Sequence, residues 1–234
     1  MIIGTIVEGT TDRIVLKSVL NALIPGNHRF LALQPVSPPE RSNGWKGVRS
    51  WCRQIAEESS LEEILSGETG DPIDLLVIHV DADIADKRGL QDGNEKKTPE
   101  VMRPCPPISA TIRQIEHVIR KWLNRDELPE KVVLAIPSQD TENWTFAALF
   151  PEDPICIRDD YECIKNGHHR PVHKLSLRKY GKYFKRKGNE IKKSKRAYDK
   201  LAPVIAENWE TVCNICSLAQ QFTQDIELLV TGKK

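Results

Sequence analysis

A chain of 234 residues can bury a substantial core, as one large domain or one domain with an appendage. No apolar run approaches the roughly 20 residues a membrane helix requires, which argues against a membrane partner. The net charge of +1 hides an asymmetry: residues 165–200 hold fourteen Lys or Arg against two acids, Glu190 and Asp199. An acidic part carrying carboxylates beside a basic part is what a metal-dependent enzyme acting on a polyanion needs. An ordinary charged surface with a basic tail gives the same totals.

The chain enters its first strand at once, without the charged leader of a signal peptide. Residues 2–7 form that strand, and Glu8, Gly9, Thr10, Thr11 and Asp12 follow. Val15, Leu16, Val19, Leu20 and Leu23 recur at helical spacing until Pro25 and Gly26, with Thr10 or Thr11 as N-cap. Glu8 thus falls at the carboxyl end of a strand. Asp12 falls in a first helical turn, where free N–H groups favour anions. Residues 30–36 make a weaker second strand, stopped by Pro38 and Pro39, and a helix spans 47–65.

Residues 73–80 hold six aliphatic residues in eight positions without clean alternation, the pattern of a strand buried on both faces of a parallel sheet. The run ends in Asp81, Ala82 and Asp83. On an extended backbone, carboxylates at i and i+2 point the same way and repel unless a cation sits between them. The blander alternative is that Asp81 caps a turn and Asp83 is solvated. The loop over 84–107 is long for a compact domain and reads as a lid or binding loop, with plain disorder as the alternative. A helix over 108–124 turns Ile112, Ile115, Val118, Ile119 and Leu123 to the sheet, and 132–136 is a fourth strand. Residues 137–142 then open a helix ending near Phe150, with Trp144, Phe146 and Leu149 as core contacts.

Strands alternating with helices define a parallel sheet with right-handed connections. Ligands of open α/β sheets gather outside the carboxyl ends of the strands. Glu8, Asp81, Asp83 and Glu142 all fall just past such ends. Convergence of four acids on one edge points to a metal site, and hard oxygen donors suit Mg²⁺ or Mn²⁺, as two ions, rather than zinc.

Val7-Glu8-Gly9-Thr10-Thr11-Asp12, joined to a strand ending Asp81-Ala82-Asp83, resembles the TOPRIM domain of topoisomerases, primases and OLD-type nucleases. In that domain a glutamate followed by glycine after the first strand works with an Asp-x-Asp after the third. Asp12 is similar to the extra acid of OLD-type nucleases. The stretch 136–144, His173-Lys174 and Tyr183-x-Lys185 resemble small stand-alone TOPRIM-like proteins. The resemblance covers 1–150 well and the remainder loosely. It departs in the loop after Asp83, where Gly89 comes later than the glycine many members have. It implies a TOPRIM-like open, mainly parallel sheet flanked by helices, two divalent ions and cleavage of DNA. Glu8, Asp81 and Asp83 would hold one ion, and Asp12 and Glu142 would help hold a second. The chain has no Gly-x₄-Gly-Lys-Ser/Thr, so an ATPase of the kind coupled to OLD-type nucleases would be a separate subunit, in a two-component antiviral system.

Past residue 150 the α/β rhythm stops. Residues 151–234 read as a basic, mostly helical extension packed on the 1–150 domain, with a short helix over 155–166 and a long one over 204–229. Between them Tyr180, Tyr183, Phe184 and Tyr198 interleave with cations. Arg178, Lys179, Lys182, Lys185, Arg186, Lys187, Lys192 and Lys193 are candidate contacts to nucleic acid, and Lys182 or Lys185 the candidate for neutralising charge on a phosphate. A solvated helix face with its aromatics in the core is the competing reading.

Six dispersed cysteines, Cys52, Cys105, Cys156, Cys163, Cys213 and Cys216, suggest no compact disulfide framework, so a cytoplasmic protein is expected. Cys213 and Cys216 form a lone Cys-x-x-Cys, read as core cysteines. Cys156, Cys163, His168, His169 and His173 make a looser set at zinc spacing. His79 reads as a hydrogen-bonded core histidine. A regulatory module that binds a metal or phosphorylated ligand without hydrolysis, acting through a partner, is the alternative function. A homo-oligomer is compatible with either.

Overall fold

The computed structural model describes residues 1–34, 44–58, 60–68, 70–90, 105–164, 185–187 and 190–232. Its chain order begins β1 (Ile2–Ile6), α1 (Thr10–Leu23), β2 (Arg29–Gln34), α2 (Trp45–Glu57), α3 (Leu61–Ser66) and β3 (Leu75–His79). A 3₁₀ turn over Ala82–Asp86 follows, then α4 (Ile108–Trp122), β4 (Val132–Ala135), α5 (Thr141–Leu149) and a second 3₁₀ turn over Tyr161–Cys163. The chain closes with β5 (Lys185–Lys187), β6 (Glu190–Lys192), α6 (Lys195–Glu207), α7 (Trp209–Ile215) and α8 (Ser217–Thr231).

The four main strands form one all-parallel sheet in the order β2-β1-β3-β4. All five residues of β3 are buried, as an aliphatic strand covered on both faces requires. Successive side chains alternate across the sheet, so Ile3 and Val7 join one core while Ile6 joins the other. Right-handed crossovers in opposite directions send α1 to the first face and α2, α3 and α4 to the second. The sheet is therefore wound both ways from β1 and β3, and its direction reverses between them.

The C-terminal helices complete the first face. Tyr198, Leu201, Ile205, Trp209, Val212, Phe222 and Ile226 belong to the same core as β1 and α1. Trp144 of α5 meets Trp209 edge-on at 5.2 Å and stacks on Phe222 at 6.1 Å. Each such pair adds about 1 kcal/mol beyond area burial. The C-terminal helices thus share the sheet's core.

Several elements differ from expectation. The helix over 47–65 divides into α2 and α3, with Ser60 at the N-cap position of α3 but making no side-chain cap bond. Gly67 ends α3 at φ +86, where an added Cβ would lie 2.7 Å from the Pro72 nitrogen. Thr10 and Thr11 lie inside α1, with Gly9 at the N-cap position. Where a helix is expected over 155–166, the described residues to 164 form a run of turns holding one 3₁₀ segment, since Asp153 accepts the Ile155 N–H at 3.0 Å and Pro154 supplies no donor.

The helix expected over 204–229 starts earlier, at Lys195, runs through Pro203 and breaks twice. At the first break Asn208 donates its amide to the Val204 carbonyl at 2.9 Å, competing with the backbone ladder. At the second, the Glu162 carboxylate accepts the Ser217 and Leu218 N–H groups at 2.9 and 3.2 Å, capping α8 from a distant segment. The basic stretch includes an antiparallel pair, β5 with β6, where a helix face was the competing reading. The expected lid falls largely on 91–104, outside the described residues. Both its feet are anchored: Trp122 donates to the Leu90 carbonyl at 2.7 Å, and Cys105 is bonded to Cys163. No helix among the described residues is long and apolar enough to cross a membrane.

Candidate active site

The carboxyl ends of β1 and β3 lie side by side where the winding reverses, the place in such sheets where a crevice opens. The Asp81 N–H donates to Glu8 Oε1 at 2.9 Å, so one carboxylate bridges the two strand ends. Gly9 packs closely here: a Cβ on it would stand 3.0 Å from Asp12 Oδ2, which would have to shift slightly to admit one. Asp12 is 4 % exposed although it starts a helix. Its Oδ1 accepts the Thr141 hydroxyl at 3.0 Å, which ties α1 to α5.

Thr141 in turn lies 3.2 Å from His79 Nε2. With the hydroxyl proton committed to Asp12, the threonine oxygen accepts from an imidazole N–H. The same Nε2 stands 3.5 Å from Asp81 Oδ1. Burial pulls the His79 pKa down against the opposing charges of Asp12 and Glu142. The fully buried ring is therefore neutral and donates to Thr141, in keeping with its reading as a hydrogen-bonded core histidine.

Glu142, wholly buried in the first turn of α5, accepts the Tyr198 hydroxyl on Oε1. Its Oε2 pairs with Lys193 Nζ at 2.7 Å. Burial alone would lower the lysine, but Glu142, Asp12, Asp81 and Asp140 outweigh it and hold its ammonium well above the ordinary value. Lys193 thus sits where the fields of four acids meet, and a third of its side chain still reaches solvent. Sequence reasoning placed it only among the nucleic-acid contacts. Nothing in the sequence marks Asp140 as a site residue, and Tyr198 reads there only as a base-stacking or core aromatic. The unusual backbone of Gln139, at φ +64 just before Asp140, turns this loop into the site.

Burial first, then Asp12 and Asp83, push the Glu8 pKa up to about 7 against the pull of the Asp81 N–H and Lys193. Burial, then Glu8, Asp12 and Asp140, likewise hold Asp81 well above the usual carboxylate range. Asp83 departs from expectation. The chain coils into a 3₁₀ turn directly after Asp81, so the two aspartates do not share an extended backbone. Asp83 lies toward solvent, 3.7 Å from Lys87. Its N–H is held by the Gln139 carbonyl at 3.1 Å.

Glu8, Asp12, Asp81 and Glu142 are therefore brought together, and Asp83 stands at their margin. Among the described residues no three His, Cys, Asp or Glu side chains lie in a ready metal-holding arrangement. Two observations still suit a hard cation. The oxygens are carboxylate, and Asp81 Oδ1 is buried without a hydrogen-bond partner among the described residues.

Arg178, Lys179 and Lys182 lie outside the described residues, as do His168, His169 and His173. Lys185, Arg186, Lys187 and Lys192 are placed by backbone alone on the β5–β6 pair. The zinc reading loses Cys163 to its disulfide with Cys105, and Cys156 donates to the Phe150 carbonyl at 3.4 Å. The six cysteines form no compact framework among the described residues, but one disulfide joins Cys105 to Cys163, residues 58 apart in sequence. Cys216, at the break between α7 and α8, is buried and Cys213 half-buried, in keeping with their reading as core cysteines.

No protein-family model, no curated protein and no solved structure matches this chain.

Proposed function

We propose that this chain is a divalent-metal-dependent nuclease that hydrolyses phosphodiester bonds, with DNA as the substrate. The carrying observation is the convergence of Glu8, Asp12, Asp81 and Glu142 around Lys193 at the reversal point of a parallel sheet. The resemblance of the Glu8-Gly9 and Asp81-Ala82-Asp83 segments to the TOPRIM pattern supports the same reading.

Glu8 and Asp81 would hold Mg²⁺ or Mn²⁺, with Asp83 reaching in from the margin and Asp12 and Glu142 serving a second ion. Bound there, such ions supply a water of lowered pKa and neutralise charge on the phosphate oxygens. Thr141, itself held by His79, fixes the orientation of Asp12. Lys193 meets the phosphate with its ammonium, the role first considered for Lys182 or Lys185. Its partial exposure lets it serve both Glu142 and a ligand. The basic β5–β6 pair lies next to it in sequence and provides an approach for a polyanion. A cytoplasmic location and a separate ATPase subunit belong to this reading.

One observation favours a second reading. Lys193 already supplies a positive charge inside the acid cluster, as a module that binds a phosphorylated ligand without cutting it would require. Plasmid nicking separates the two. The purified chain with Mg²⁺ or Mn²⁺ is expected to nick supercoiled DNA, and Glu8→Ala and Asp81→Ala are not. Equal behaviour of wild type, variants and metal-free controls would overturn the nuclease.

A further inference from the structure

The sheet edge beyond β3 carries a second feature, distinct in role from the acid cluster. β4 is the last strand of its sheet. The carbonyls of Lys131 and Ala135 accept the Leu76 and Val80 N–H groups at 2.8 and 3.3 Å. Backbone direction alternates along a strand, so Val132, Leu134 and Ile136 turn their polar groups away from β3. The Val132 N–H is taken by the Pro129 carbonyl at 2.9 Å. The Val132 carbonyl, both polar groups of Leu134 and the Ile136 N–H have no partner among the described residues. Such an edge is a template for another strand.

This edge is not flush with the surface. It forms the floor of a groove of about 1010 Å³ between α4 and α8. Ile112, Leu134, Phe222 and Leu228 give it apolar walls, and Leu228 is 50 % exposed. Glu116 of α4 and Asp225 of α8 face each other across it, each half-buried and held above the ordinary carboxylate range chiefly by burial. Arg120 relieves Glu116 in part, while Asp225 adds to its burden.

We infer that this groove binds an extended segment of a partner protein, adding it as a fifth strand to β4. The segment's chemistry follows from the walls. Its backbone must be extended, to meet the free groups of Val132, Leu134 and Ile136. Its side chains must alternate, with apolar residues against Leu228 and Phe222 and a Lys or Arg between Glu116 and Asp225. Main-chain bonds supply affinity and the alternate side chains specificity. A second copy of this chain fits less well, because an edge-to-edge pair would bring two sets of the same acids together.

The test titrates the full chain with a short blocked peptide alternating valine and lysine, followed by calorimetry. Binding is expected, and the Glu116→Gln, Asp225→Asn double variant should weaken it about tenfold, roughly 1.4 kcal/mol. The same peptide with methylated backbone nitrogens should not bind, since it cannot donate to the Val132 and Leu134 carbonyls. Equal binding of the methylated peptide, or of a valine–glutamate peptide, would overturn strand addition. So would a stable dimer that Leu228→Glu dissociates, which would assign the groove to a second copy.

Discussion

The acid cluster makes a thermodynamic demand that can be measured without knowing the substrate. Glu8 has an ordinary carboxyl pKa of 4.5 in an open chain and about 7 in the fold. The protonated carboxyl therefore contributes stability that is fully present below about pH 4.5 and is lost as pH rises through about 7. That gap is worth on the order of 3 kcal/mol. Asp81, raised partly by Glu8, moves the same way. His79 works in the other direction: its folded pKa is lowered, so stability is gained as the unfolded imidazole sheds its proton. Comparing wild type with Glu8→Gln cancels the histidine, which both proteins share. The glutamine still offers an oxygen to the Asp81 N–H and cannot ionise. Urea unfolding in chelator, read by tryptophan fluorescence from pH 4.5 to 8, should show the variant gaining about 3 kcal/mol on wild type. At pH 8 a metal at one hundred times its Kd should return about 2.7 kcal/mol to wild type and far less to the variant. Parallel pH curves for the two proteins would refute the burial argument. A Mg²⁺ response that survives Glu8→Gln would refute the assignment of the ligand.

Lys193→Ala leaves the buried Glu142 without its cation and should cost about 2 kcal/mol at neutral pH, discounted for the exposed third of the lysine. It should also reduce nicking at least tenfold, whereas a lysine needed only for general attraction to DNA would act mainly through salt dependence. Trp209→Ala removes the edge-on partner of Trp144 and the donor that Thr223 accepts at 2.8 Å, and should cost about 3–4 kcal/mol in urea unfolding. A loss under about 1 kcal/mol would mean that α6–α8 do not share the sheet's core.

The sheet was legible because its strands carry their own evidence. The aliphatic run Leu75–Ile78, continued by His79 and Val80, reads as a doubly covered strand, and a parallel order then brings Glu8 and Asp81 to one edge. Asp12 and Glu142 could be placed there for the same reason, since each begins a helix that follows a strand. Asp83 could not, because the coil after Asp81 depends on the Gln139 carbonyl, held by an unusual backbone more than fifty residues away. Lys193 was hidden differently. It is one of fourteen cations in a basic stretch, and nothing local distinguishes it until α6 packs along α1 and brings Tyr198 to Glu142. The breaks in the C-terminal helix were invisible to periodicity, because the apolar stripe continues across Asn208 and Cys216 onto the same core.

What remains is whether so costly a cluster could be mere architecture. A fold that only needed to join β1, β3, α1 and α5 would do better with neutral amides. Asp81 makes the point most sharply. Its buried Oδ1 has no hydrogen-bond partner among the described residues, and its neighbours Glu8, Asp12 and Asp140 oppose its charge. If the carboxylate serves only the fold, Asp81→Asn should lower stability by disturbing the contact with His79. If it is kept for a ligand, the same change relieves repulsion and should raise stability by about 1 kcal/mol in chelator at pH 8, while abolishing nicking. Stability and activity then move in opposite directions, the signature of a site maintained against the interest of the fold. A variant that is less stable without metal would show that Asp81 belongs to the scaffold, and the site would have to be sought elsewhere.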